Sequence, residues 1–270
     1  MRTDCCATAA LVIAFSAAPS PAWREPERSP QTTQPAAPTD RATAADVMGK
    51  AERRIGKNPD RWAPIKTGDL VAADSAVQTA EDSALLLSLP DGHVVRIGES
   101  TTLEIKAIGQ NKSFSFGLVK GRIWSFVDKA KKPTKYEIET PSVILGVSGT
   151  VFSAARDEVE NEMDVSVENG EVRLRRGWIE KVVGPGQQTR VLNGRLGFAF
   201  VRKQTKATQE MWKTVGSAES WMRPHGALRL NKQVEAGARA LRQERQKERA
   251  GAGRGAGRGR RGGPSGPGEG

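Results

Sequence analysis

Between about residues 67 and 192, apolar and polar positions alternate in short runs broken by turn residues, a period of two rather than the 3.6 of a helix. Residues 84–89 (ALLLSL) lead through Pro90-Asp91-Gly92 into 94–97, and residues 163–167 lead through Asn169-Gly170 into 172–175. Asp-Gly and Asn-Gly suit tight turns because both central positions accept positive φ, so each pair of runs is expected to form a hairpin. Further runs at 102–105, 113–119, 123–127, 136–139, 143–147, 151–154, 178–183 and 188–192 predict more short strands. The expected fold is all-β, a rolled β-sandwich or β-solenoid-like domain over residues 62–200.

The period changes on both sides of this region. Over residues 43–60, Val47, Met48, Ala51 and Ile55 recur at helical spacing before Gly56 and Pro59, which predicts a short amphipathic helix. Helical spacing returns over 205–249, first with Met211, Trp212 and Val215, then with Leu230, Val234 and Leu241 in a highly charged stretch. Residues 23–42 are rich in Pro, Thr and Gln and read as a linker. Residues 250–270 are Gly and Arg in low complexity and are expected to be disordered. Residues 1–22 read as a secretory signal, with Arg2 ahead of a short apolar stretch over 7–18 and small residues around Ser20-Pro21-Ala22. That stretch is too short to span a bilayer, and no later segment approaches 18 apolar residues. The reading is therefore an exported chain, periplasmic or secreted, with no transmembrane segment after signal cleavage.

Composition narrows the picture. The formal charge of +11 suggests a polyanion partner until it is mapped along the chain. From Arg229 onward there are eleven Lys and Arg against four Glu, whereas residues 65–200 hold 17 basic and 18 acidic residues. The basicity belongs mostly to the tail, where Arg254, Arg258, Arg260 and Arg261 are the candidate polyanion contacts. The tail is read as an RNA-binding segment, as a contact for an anionic envelope polymer or lipid headgroup, or as a plain soluble extension. The only cysteines, Cys5 and Cys6, lie within the signal, leaving no disulfide and no thiolate metal site.

Little in the chain suggests catalysis. His93 and His225 lie far apart without motif partners and are expected at the surface. Asp157, Glu158, Glu160, Glu162 and Asp164 offer oxygens but lack the order of a calcium loop, and read as a solvated loop. No nucleophile-elbow, zincin or P-loop motif occurs. The expectation is a non-enzyme without cofactor or metal. Trp62, Phe114, Phe116, Trp124, Phe126 and Trp178 are read as core, with an aromatic binding stripe as the alternative. Phe114/Phe116 and Trp124/Phe126 are expected to pair across neighbouring strands.

Four fragments in order carry a resemblance. They are Leu87-Ser88-Leu89-Pro90-Asp91-Gly92-His93-Val94-Val95-Arg96-Ile97; Leu118-Val119-Lys120-Gly121-Arg122-Ile123; Ile138-Glu139-Thr140-Pro141 with Gly146-Val147-Ser148-Gly149-Thr150-Val151-Phe152; and Val165-Ser166-Val167-Glu168-Asn169-Gly170-Glu171-Val172, closed by Gly184-Pro185-Gly186-Gln187. This stretch resembles the periplasmic sensor domain of the FecR family. The residues also make sense as folding determinants: Asp91, Gly92, Asn169 and Gly170 for turns; Gly121, Gly146 and Gly149 for bends or close approach; Pro141 for a strand end; Gly186 belongs to the closing fragment of the same structural signature. Thr140 completes the third fragment, and Thr150 is expected to fix the backbone after Gly149. The founding members place an anti-sigma segment and one membrane helix ahead of this domain, where a signal, a linker and a short helix are predicted here. The functional expectation is an extracytoplasmic binding or scaffold module whose partner is an envelope protein or glycan. The alternatives are an envelope signalling regulator related to FecR-type anti-sigma sensors, or polyanion binding through the tail.

Overall fold

The computed structural model describes residues 40–54, 60–131 and 133–215, with single helical positions at 240, 243 and 247. The predicted signal, most of the linker, His225, most of the second C-terminal helix and the Arg/Gly tail lie outside the described residues. Described residues 40–215 belong to one compact unit.

The expected helix at 43–60 is instead a pair of strands, β1 (Arg41–Met48) and β2 (Ala51–Arg54). The helical spacing of Val47, Met48 and Ala51 is produced by a bulge between Ala44 and Asp46 and a turn at Gly49. The bulge shifts the side-chain alternation by one. Ala44 pairs with Leu87 and Val47 with Leu85, so tertiary pairing overrides the local pattern. The folded domain therefore starts some twenty residues before position 62.

The chain continues through β3 (Trp62–Pro64), β4 (Leu70–Ala72), β5 (Ser75–Thr79), β6 (Ala84–Ser88), β7 (Val94–Ile97) and β8 (Thr102–Ala107). The long β9 (Ser113–Phe126) is followed by β10 (Lys135–Glu139), β11 (Ile144–Val147), β12 (Val151–Asp157) and β13 (Glu162–Asn169). Then come β14 (Val172–Arg176), β15 (Ile179–Val183), β16 (Gln187–Val191), β17 (Arg202–Lys203) and one helix, α1 (Lys206–Val215). One group pairs in the order β4-β1-β6-β7-β9-β12-β13-β16-β17, antiparallel throughout. The other runs β3-β2-β5-β8-β9-β10-β11-β14-β15, with β9–β10 its one parallel pair.

Strand β9 belongs to both groups. Its first part pairs with β8 and β10 as far as Lys120, and from Gly121 on it pairs with β12 and β7. Gly121 has φ +90° at this switch, and a Cβ there would collide with the backbone of Thr101. The two expected strands 113–119 and 123–127 are thus one strand with a glycine corner. Phe114/Phe116 and Trp124/Phe126 do not pair across neighbouring strands, because they lie along the same one.

Alternate residues of both groups form one buried cluster. Leu85, Ile97, Phe152 and Val165 come from the first, and Leu103, Phe116, Leu145 and Leu174 from the second. A smaller cluster lies where α1 packs: Met211, Trp212 and Val215 meet Leu86, Val94 and Trp124. The Thr205 hydroxyl accepts the Thr208 N–H at 3.3 Å, capping the start of α1. Trp212 donates its indole N–H to the Ser166 hydroxyl at 3.2 Å, fixing the helix on the strands.

Candidate functional site

The first family fragment forms a tight turn. Asp91 and Gly92 take φ of +65° and +79°, and the Leu89 N–H donates to the His93 carbonyl at 2.8 Å to close the β6–β7 hairpin. His93 is buried rather than at the surface, edge-on to Phe114 at 5.1 Å and to Tyr136 at 6.3 Å. Its Nδ1 accepts the backbone N–H of Asp128 at 3.2 Å. Burial lowers its pKa below the usual 6.5, against the opposing influence of Asp91 and Asp128, so the imidazole is neutral at pH 7. A histidine between two turn-forming residues and a strand looks exposed in one dimension. The 128–131 loop folding over it is a long-range event.

That loop joins the first fragment to the last two. The Asp128 carboxylate accepts the Ala130 N–H at 2.8 Å and shapes the turn. Lys129 reaches the side-chain oxygen of Asn169 at 3.4 Å, and its stem lies against Gly149, which has φ +62°. Lys131 points its ammonium toward Gly92. Beneath Lys129, the Thr150 hydroxyl donates to the Glu171 carbonyl at 2.8 Å and accepts the Glu171 N–H at 3.2 Å. At Gly170, φ +84°, a Cβ would sit 2.7 Å from the Gly149 carbonyl.

Asn169-Gly170 is not a hairpin turn. Strand β13 pairs with β12 and β16, whereas β14 pairs with β11 and β15. The turn carries the chain from one group of strands to the other, and Thr150 satisfies the backbone that this crossing leaves without ladder partners.

These loops border an open cleft of about 710 Å³, lined by Lys129, Gly146, Val147, Ser148, Gly170, Glu171, Arg173 and Pro185. The structure thus brings together Gly146, Gly149, Thr150, Asn169 and Gly170, with Asp91 and Gly92 reached through the 128–131 loop. Gly186 lies just beyond Pro185, where its N–H donates to the Val167 carbonyl and its carbonyl accepts the Gln204 N–H. Gly121 stays at the strand corner. Thr140 and Pro141 form the β10–β11 turn, in which the Thr140 hydroxyl accepts the N–H groups of Ser142 and Val143 at 3.3 and 3.0 Å. Lys129 and Arg173 lie outside the four fragments, and Ser148 and Glu171 lie within them without a role that the sequence assigns. Charged and hydroxyl residues at strand ends give no signal until the loops that bear them converge.

Phe114, Phe116 and Trp124 are buried, Trp62 and Phe126 are partly buried, and Trp178 is 93% exposed at the tip of the β14–β15 turn. No continuous aromatic stripe forms among these six residues. Trp124 lies between the guanidinium groups of Arg96 and Arg122, 5.7 and 5.9 Å from its ring. In the acidic stretch, the Asp157 carboxylate accepts the N–H groups of Val159 and Glu160 at 3.1 Å, and Asp164 pairs with Arg190 at 2.8 Å. Among the described residues no group of three or more His, Cys, Asp or Glu is placed to hold a metal ion. Among them, too, no helix is long and apolar enough to cross a membrane.

Residues 75–173 match the model of the FecR family, described as FecR protein. This stretch is a FecR domain. FecR domains are non-catalytic regulatory or sensor modules. The match starts at the first residue of β5, so β1–β4 precede it, and β15–β17 and α1 follow it. No curated protein matches the chain. Among solved structures the chain is similar to two crystal structures, at 1.65 and 2.50 Å, titled as a "putative anti-sigma factor" from Parabacteroides distasonis ATCC 8503. Each has 18% identity and a TM-score of 0.45, with 52% of this chain and 64% of that chain covered. The chain thus spans less than two thirds of the length of those proteins.

Proposed function

We propose that the protein is an extracytoplasmic regulator of envelope signalling, in which the FecR domain receives a partner at the cleft between the 128–131, 146–150 and 169–171 loops. The observation that carries this reading is convergence. The third and fourth FecR fragments are separated in sequence, yet backbone turns, the Thr150–Glu171 bonds and the Lys129 stem gather them at one opening, with the first fragment reached through the 128–131 loop. Regulation takes precedence over a passive scaffold because the matched family is one of regulators and sensors. On this reading the chain is exported to the periplasm, and the two strand groups stack as the layers of a rolled sandwich joined along β9.

The test is transcriptional. Overexpressing the full chain in its host is expected to change the transcripts of one sigma-factor regulon, with the protein recovered from the periplasmic fraction. An unchanged transcriptome on both overexpression and deletion refutes the regulator reading, and recovery in the cytosol with residues 1–22 intact refutes export.

A further inference from the structure

Among the glycines of the FecR fragments that lie in or beside the cleft and at the strand corner, four have internal reasons to be glycine and Gly146 does not. Gly121, Gly149 and Gly170 have positive φ, and a Cβ at each would strike a neighbour; Gly92 has φ +79°. Gly146 has neither constraint. Its φ is not positive, and the nearest atom to a Cβ there is the Arg173 carbonyl oxygen at 3.9 Å. It nonetheless sits inside β11, paired on both sides, with Glu137 across from it on β10 and Arg173 on β14. Glycine in a strand interior costs about 0.5–1 kcal/mol relative to alanine and leaves a face without packing. Where the fold itself gives no reason, such a glycine marks a place where a ligand or another backbone approaches closely.

The missing side chain leaves a notch on the solvent face of the sheet, in the floor of the cleft. On one side, Glu137 is already matched by Lys135 at 3.0 Å and Arg175 at 3.9 Å. On the other, Arg173 has, among the described residues, an exposed contact with Glu180 at 3.5 Å, worth little in water. Lys129 stands at the rim with its ammonium 3.4 Å from an uncharged amide oxygen. The lining thus carries two cations, Lys129 and Arg173, against the one carboxylate of Glu171.

We propose that the cleft takes an extended, acidic segment of a partner protein, with its backbone against Gly146 and a carboxylate between Lys129 and Arg173. A backbone can approach the sheet face at Gly146 because no side chain stands there and the nearest atom to a Cβ at that position is 3.9 Å away. A carboxylate fits the flanks because Arg173 and Lys129 are its natural donors. This rests on the regulator reading and specifies the chemistry of the partner.

The experiment uses the full chain and a fluorescein-labelled decapeptide of alternating Asp and Thr, followed by anisotropy at moderate salt. The acidic peptide is expected to bind, and the same peptide with Asn in place of Asp to bind about tenfold more weakly. Gly146→Leu fills the notch and is expected to weaken binding about tenfold or more, and Arg173→Glu and Lys129→Glu to do the same. Gly146→Ser together with the Lys129→Gln/Arg173→Gln double variant gives the same readout if Gly146→Leu does not fold. Wild-type binding by a folded Gly146→Leu chain overturns the proposal. So does binding that disappears when residues 250–270 are removed, or an anionic polysaccharide that displaces the peptide at lower concentration. A regulon response that persists unaltered in Gly146→Leu rejects the cleft while leaving the regulator reading intact; no response in wild type rejects that reading instead.

Discussion

Alanine at Gly121 and alanine at Gly146 are expected to move stability in opposite directions, although both are strand glycines of the same domain. At Gly121 the backbone has φ +90°, so any side chain incurs the left-handed penalty of about 1–2 kcal/mol. The new Cβ would also lie 2.5 Å from Thr101 Cα and 2.6 Å from Thr101 Cβ. Relieving that overlap requires the backbone to move, and overpacking of this kind costs about 1–3 kcal/mol. Thr101 is itself held, since its hydroxyl accepts the Arg122 N–H at 3.0 Å and its N–H donates to the Thr79 hydroxyl at 3.1 Å. The total for Gly121→Ala is about 2–5 kcal/mol, a large part of the roughly 5–15 kcal/mol that holds a domain folded. At Gly146 neither penalty applies, and alanine restricts the unfolded chain, giving about 0.4–1 kcal/mol of added stability. In a domain of this size, 1 kcal/mol moves Tm by about 2–4 °C. Gly121→Ala should therefore melt at least about 4 °C lower and Gly146→Ala up to about 4 °C higher. Urea unfolding followed by total tryptophan fluorescence, with thermal melts alongside, measures both. Equal destabilisation by the two substitutions refutes the argument, because it would mean that Gly146 is constrained from within.

The remaining predictions concern single contacts. Because burial lowers the His93 pKa, the unfolded state binds the proton first; the His93 contribution is complete above about pH 6.5 and is lost as pH falls below it. Tm measured at pH 5 and pH 7.5 should thus differ more for wild type than for His93→Gln, which keeps an acceptor for the Asp128 N–H, and equal differences refute this. Thr150→Ala leaves the Glu171 N–H and carbonyl without their partner and should cost about 1–3 kcal/mol in denaturant unfolding, most of it restored by Thr150→Ser. Trp212→Ala removes a buried indole and its bond to Ser166, for a loss of about 3–5 kcal/mol measured by denaturant unfolding followed by circular dichroism.

Much of the fold was legible because strand periodicity is local. The runs at 84–89, 94–97, 102–105 and 188–192 match strands to within two residues, as does the helix face of Met211, Trp212 and Val215. The Asp91-Gly92 hairpin was legible for the same reason, since its strands are neighbours in sequence. Pairing was not legible. Asn169-Gly170 has the same chemistry as Asp91-Gly92, yet its flanking strands part to different neighbours, a choice made by β11, β12, β15 and β16. Residues 43–54 carry a helical spacing that only the pairing of β1 with β6 and the bulge in β1 explain. His93 became a buried group through Phe114, Tyr136 and Asp128, which lie 21 to 43 residues away.

The sequence by itself determined the short strands, the Asp91-Gly92 hairpin and the covering helix, because each of these depends on residues within a few positions of one another. Only the tertiary structure decided which glycine is constrained and which is free. At Gly121 the obstacle is Thr101, twenty residues back, and at Gly146 it is nothing within 3.9 Å. The two look alike in a chain of letters because what separates them is the space a missing side chain leaves, and that space exists only after the strands have paired.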